Sequence, residues 1–109
     1  MSDDETESGI RVVDEPDEGR FAIWVGEQVA GFTLYDRHGD AYALMHTEVR
    51  PEFEHQGLAS RLIGSTLDQL AAREVGVLPY CPFVRRFMSE HREYAAMVPA
   101  ADRARFGLD

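Results

Sequence analysis

The sequence predicts an α+β domain with a mainly antiparallel sheet, one long helix behind a glycine-bearing turn, and a second helix that begins at Cys81. Three observations carry this prediction. The first half holds β-branched and aromatic runs broken by glycine turns. Leu58 opens an apolar stripe at helical spacing, and a short apolar run over 75–80 stops at Cys81-Pro82.

In chain order, residues 10–13 read as a short strand, ended by the acidic stretch 14–18 with Pro16. Residues 21–25 and 30–35 are β-rich runs separated by Gly26 and Glu27, and glycine at the first turn position suits a type II′ hairpin. A second hairpin turns over 37–40. Its outgoing strand, 41–49, puts Tyr42, Leu44, His46 and Glu48 on one face by simple alternation, and Ala43, Met45, Thr47 and Val49 on the other. Arg50-Pro51 stops it, because proline removes a ladder donor and biases its predecessor away from helix.

A helix starts near Gln56, with Leu58, Leu62, Ile63, Thr66, Leu67, Leu70 and Ala71 on one stripe, and ends near Glu74. Residues 75–80 then form a strand with Gly76 at the turn, and the strand–helix–strand order implies a crossover that lays this strand beside 41–49. Pro82 fits the first position of the next helix, which makes Cys81 its N-cap, with Phe83, Phe87 and Met88 on the core face. Trp24 and Phe32 also read as core. The remainder, 93–109, has helical propensity interrupted by Pro99 and Gly107.

One domain of 109 residues is expected: an acidic disordered tail over 1–9 and a folded body over 10–109. The formal charge of −9 is concentrated at the start, where residues 1–18 carry eight acids against one arginine; the rest has twelve acids and ten arginines. A nearly neutral body without a basic patch argues against nucleic acid, and no apolar run is long enough for a bilayer. The start has neither the basic region nor the apolar run of a secretion signal, so a cytoplasmic location is expected. One cysteine rules out an internal disulfide; His38, His46, His55 and His91 show no paired metal-ligand spacing, and no metal is expected. All eleven basic residues are arginine.

The residues ahead of the long helix are Glu54, His55, Gln56 and Gly57, none of them a side-chain cap of the Ser, Thr, Asp or Asn kind. The helix N–H groups can be met by an anion such as phosphate, or by water in a plain strand-to-helix turn. Cys81 stands where a helix N-terminus, with Arg85 and Arg86 a turn onward, favours a thiolate; as a free cysteine it equally suits a buried filler role. His46 and Glu48 are candidate bases, or a strand histidine and a surface glutamate.

These strings resemble the GNAT superfamily of N-acetyltransferases. Its coenzyme A signature is arginine or glutamine, two variable residues, glycine, a variable residue, then glycine or alanine; here it falls on Glu54, His55, Gln56, Gly57, Leu58 and Ala59. The wider pattern, HTEV, then QGLASRLI, then P-x-CPF and a His91-x-x-Tyr94 pair, is similar to small GNAT-like proteins with one well-placed cysteine. The resemblance implies a reduced GNAT-like fold, since the segment between Val13 and Phe21 has no room for the usual helices. It further implies acetyl-CoA as cosubstrate, its pantetheine arm between the strands ending at Val49 and near Tyr80. The arm would bond backbone around Glu48 and Val49, and the pyrophosphate would sit on Gln56, Gly57, Leu58, Ala59 and Ser60, with charge from Arg61 or Arg50. An unidentified amine would be the acceptor. Cys81, His46 and Glu48 are the catalytic candidates, Cys81 as acyl acceptor or proton donor. One departure is Glu54, a carboxylate in the usual Arg or Gln position, which favours the alternative of an acyl-CoA-binding module or sensor with little turnover; His55, when protonated, offsets it in part. A monomer or small homo-oligomer is expected.

Overall fold

The computed structural model describes residues 9–109, so the expected acidic tail lies, apart from Gly9, outside the described residues. Five strands follow in spatial order as in sequence: β1 (Ile10–Glu15), β2 (Arg20–Val25), β3 (Gln28–His38), β4 (Ala41–Val49) and β5 (Gly76–Pro79). The first four pair antiparallel; β5 joins β4 in parallel, after the long helix α1 (Leu58–Ala72). Helix α2 (Pro82–Glu90) comes next, and short 3₁₀ turns complete the chain.

Two tight turns set the register of the antiparallel half. Val25 pairs with Gln28 and His38 with Ala41, leaving Gly26-Glu27 and Gly39-Asp40 as two-residue connections. In each, the glycine alone has positive φ (60° and 61°), the conformation that a type II′ turn requires at its first position.

β1 runs two residues further than its apolar run suggests, because its acids are used rather than shed. Asp14 accepts from Tyr35 Oη at 2.7 Å and pairs with Arg73, the C-cap of α1, at 2.9 Å; Glu15 takes Arg20 at 2.7 Å and Trp24 Nε1 at 2.9 Å. Tyr35 is held protonated well above the ordinary phenol range, by burial first and then by the bond to Asp14. These contacts tie β1, β3 and the end of α1 together.

The expected stripe of α1 is its buried face except at Ala71, which is exposed: Leu58, Leu62, Ile63, Leu67 and Leu70 join Phe21, Ile23, Leu44 and Val77 in one cluster with Val84 and Met88 of α2, and Thr66 is buried on the same face. The two helices touch where Gly64 approaches Phe87; a Cβ there would stand 3.5 Å from the ring, an ordinary van der Waals contact. Gly76 begins β5 instead of marking the turn; Glu74, at φ 61°, takes the left-handed position there. The end of the chain forms 3₁₀ turns, Arg92–Met97, Ala100–Asp102 and Ala104–Phe106, anchored by buried Val98, Phe106 and Leu108. Pro99 and Gly107 keep any one segment from becoming a full helix.

Three aromatic assignments change. Only Phe87 of the four expected core rings is buried. Trp24 lies half-buried under the Arg11 guanidinium, Phe32 lies under that of Arg20, and Phe83 is 37% exposed on α2. Among the described residues, no helix is long and apolar enough to cross a membrane.

Candidate active site

A β-bulge in β4 organises the site. Leu34 pairs with His46, yet the next residue of β3, Tyr35, pairs with Leu44, so Met45 is an extra residue that bends the strand. Cross-strand partners share a face. Tyr42, Leu44 and Thr47 therefore share one with Arg37, Tyr35 and Thr33, the side that α1 covers; His46 and Glu48 share the other with Leu34 and Phe32. Simple alternation puts His46 and Glu48 beside Tyr42 and Leu44, and the bulge reverses this.

At the same place β4 and β5 part. Their parallel pairing ends at Leu44 and Pro79, and the Cys81 amide makes a last bond to Leu44 O at 2.8 Å. Beyond it, β4 continues to Val49 with β3 on one side only. Since the Arg50 amide bonds Ala30 O at 2.8 Å, alternation aims the backbone groups of Val49 and Thr47 into the fork. The Glu48 carbonyl points the other way, toward Gly31.

The turn after β4 brings the start of α1 to the fork. Residues Pro51–Phe53 make one 3₁₀ turn, His55 and Gly57 both adopt left-handed backbone (φ 67° and 72°), and Gly57 is an N-cap with no side-chain bond to the helix. A non-glycine residue with positive φ is uncommon, though histidine tolerates it better than most. The first turn of α1 thus presents uncapped amides beside a cleft of about 370 Å³. Val49, Gly57, Leu58, Ala59 and Ser60 form part of its wall, joined by Phe53, Glu54, His55 and Phe83. Gln56 is exposed and outside that wall; Arg61 is half-buried, its amide on Gly57 O at 3.2 Å. Glu54 therefore contributes to the cleft itself.

Cys81 closes the fork at its narrow end. It is the N-cap of α2, but its side chain does not cap: Sγ donates to Thr47 Oγ1 at 3.4 Å, and Thr47 donates to Thr33 Oγ1 at 3.0 Å. Cys81 is buried, at 4% exposure. Arg86 is turned to Glu90, at 3.3 Å. On the opposite face His46 Nε2 lies 3.0 Å from Glu48 Oε1, with both side chains more than half exposed. The sheet therefore separates the His46–Glu48 pair from the Cys81 thiol. Among the described residues, no three His, Cys, Asp or Glu side chains are clustered as metal ligands. Thr33, Thr47, Phe53 and Phe83 are the site neighbours that sequence reasoning missed. A strand threonine or a helix phenylalanine carries no chemical signal until the register is known.

The forked sheet and the long helix that starts at its mouth are consistent with a compact acetyltransferase domain, and sequence comparison agrees. Residues 20–97 match the profile of the family described as GCN5-related N-acetyl-transferase, and the chain belongs to that family. No curated protein matches it.

Proposed function

We propose that this domain moves the acetyl group of acetyl-CoA to an amine of a small molecule, peptide or protein. The observation that carries the reading is the convergence on one cleft of an unpaired strand edge, β4 beyond Leu44, and the uncapped N-terminus of α1. An amide-bearing arm suits the edge, as an added strand would. A pyrophosphate suits the helix amides and the positive end of the helix dipole.

The fork opens through the sheet, so the two faces can serve different substrates. With the thioester in the fork, an amine arriving from the exposed face meets His46. A neutral imidazole there takes the proton as the amine nitrogen bonds to the carbonyl carbon; Glu48, 3.0 Å away, steadies the imidazolium that forms. The carbon–sulfur bond then breaks, and the departing thiolate takes a proton from water or from Cys81. Holding both reactants in one slot supplies much of the acceleration.

A second reading, a binding module with little turnover, draws on Glu54 in the cleft wall, whose carboxylate opposes an anionic ligand. Calorimetric titration with acetyl-CoA tests the shared premise: absence of heat at millimolar ligand removes both readings. Radiolabelled acetyl-CoA with a panel of amines separates them. Label moving to an amine, and falling at least tenfold in His46→Ala, supports the enzyme; label that stays on the cofactor with every acceptor supports the module.

A further inference from the structure

Phe83 belongs to two cavities. It stands in the wall of the cleft at the fork, and with Ser60 it also lines a groove of about 260 Å³ between α1 and α2, whose other residues are Arg86, Phe87 and Glu90. Because Ser60 and Phe83 are common to both, the groove continues the cleft past the first turn of α1. Phe83, Arg86, Phe87 and Glu90 recur at i, i+3, i+4 and i+7, which puts them on one face of α2. On that face the Phe83 ring is 37% exposed, and the Arg86 side chain is 79% exposed with its Nε on Glu90 at 3.3 Å. An exposed pair of this kind contributes little, so the guanidinium can leave Glu90 for a partner of higher charge.

Acetyl-CoA reaches beyond the two anchors of the cleft. With the pantetheine arm on the β4 edge and the pyrophosphate on the α1 amides, the adenosine 3′-phosphate must leave by the mouth of the cleft. An exposed aromatic ring and a guanidinium stand together there. We propose that the groove between α1 and α2 is the nucleotide subsite, with Phe83 the platform for adenine and Arg86 the residue that selects the 3′-phosphate. The subsite rests on acetyl-CoA being the ligand. A base stacks on an aromatic side chain through its π face. A phosphate monoester carries about two negative charges near neutral pH and offers an arginine fork several oxygens, so it displaces the single carboxylate of Glu90. Glu90 itself opposes the phosphate, and the exchange of partners by Arg86 offsets that repulsion.

Calorimetric titration with acetyl-CoA and with 3′-dephospho-acetyl-CoA reads the subsite. The parent protein should bind acetyl-CoA about three- to tenfold more tightly, with the gap narrowing as salt is added. Arg86→Gln should close the gap by weakening acetyl-CoA alone. Phe83→Ala should weaken both ligands about tenfold, since both carry the adenine. Phe83→Leu, which also lacks the aromatic face, gives the same reading should the alanine variant fail to fold. The proposal is overturned if the parent binds the two ligands equally, if Arg86→Gln weakens both alike, or if removing the Phe83 ring leaves both unchanged. Those outcomes leave the proposed function standing, whereas binding of neither ligand at millimolar concentration removes that function and the subsite with it.

Discussion

Thr66 sits on the buried stripe of α1 at 0% exposure, and its Oγ1 has no hydrogen-bond partner among the described residues. A buried hydroxyl without a partner keeps the desolvation cost and gains nothing in return. Thr66→Val keeps the shape and removes the polar atom, so stability should rise by about 1 kcal/mol in urea unfolding. Glu54 is the residue-scale test of the cleft. Glu54→Gln removes a negative charge from the wall and restores a signature residue, and acetyl-CoA should bind about three- to tenfold tighter at low salt, with the gain shrinking as salt screens it. Calorimetry at two salt concentrations checks both parts.

At the scale of elements, β4 depends on how closely β3 approaches it. A Cβ built on Gly31 would stand 2.5 Å from Glu48 O and 3.1 Å from Val49 Cγ2. Neither neighbour can yield without moving the strand edge that lines the fork. Gly31→Ala should therefore cost about 1–3 kcal/mol, the usual toll of overpacking. It should also weaken acetyl-CoA binding more than a remote mutation of equal destabilisation; thermal melts beside calorimetry give the comparison. The helices were legible in the sequence because a 3.6-residue stripe is a local pattern, and Pro82 after Cys81 marks a helix start by its fixed φ. The bulge was not, because Met45 looks like any strand residue until β3 is laid against it.

For the whole molecule, the polar ties between distant elements predict how it fails in alkali. Tyr94 donates to Asp68 of α1 at 2.7 Å, and that bond, with burial and the Asp68 charge, pushes its phenol up to about 12. The folded value lies above the unfolded one of about 10, so this stabilisation is complete below about pH 10 and is lost as pH rises through about 12. Tyr35 moves in the same direction. Unfolding free energy should fall across that window, and Tyr94→Phe should flatten the fall while lowering stability at neutral pH by about 0.5–1.5 kcal/mol, the worth of one hydrogen bond; denaturant titrations at stepped pH decide it. The sequence by itself determined the element types, the glycine turns, the glycine entry to α1 and the place of Cys81 at a helix start. Each follows from residues within a turn or two of one another, where propensity and steric rules act. Only the tertiary structure decided which side chain meets the thiol, which acids serve β1, and that Phe83 lines a cleft. One extra residue in β4 turns every later side chain to the other face, and the pairing with β3 that reveals it joins residues far apart in the chain.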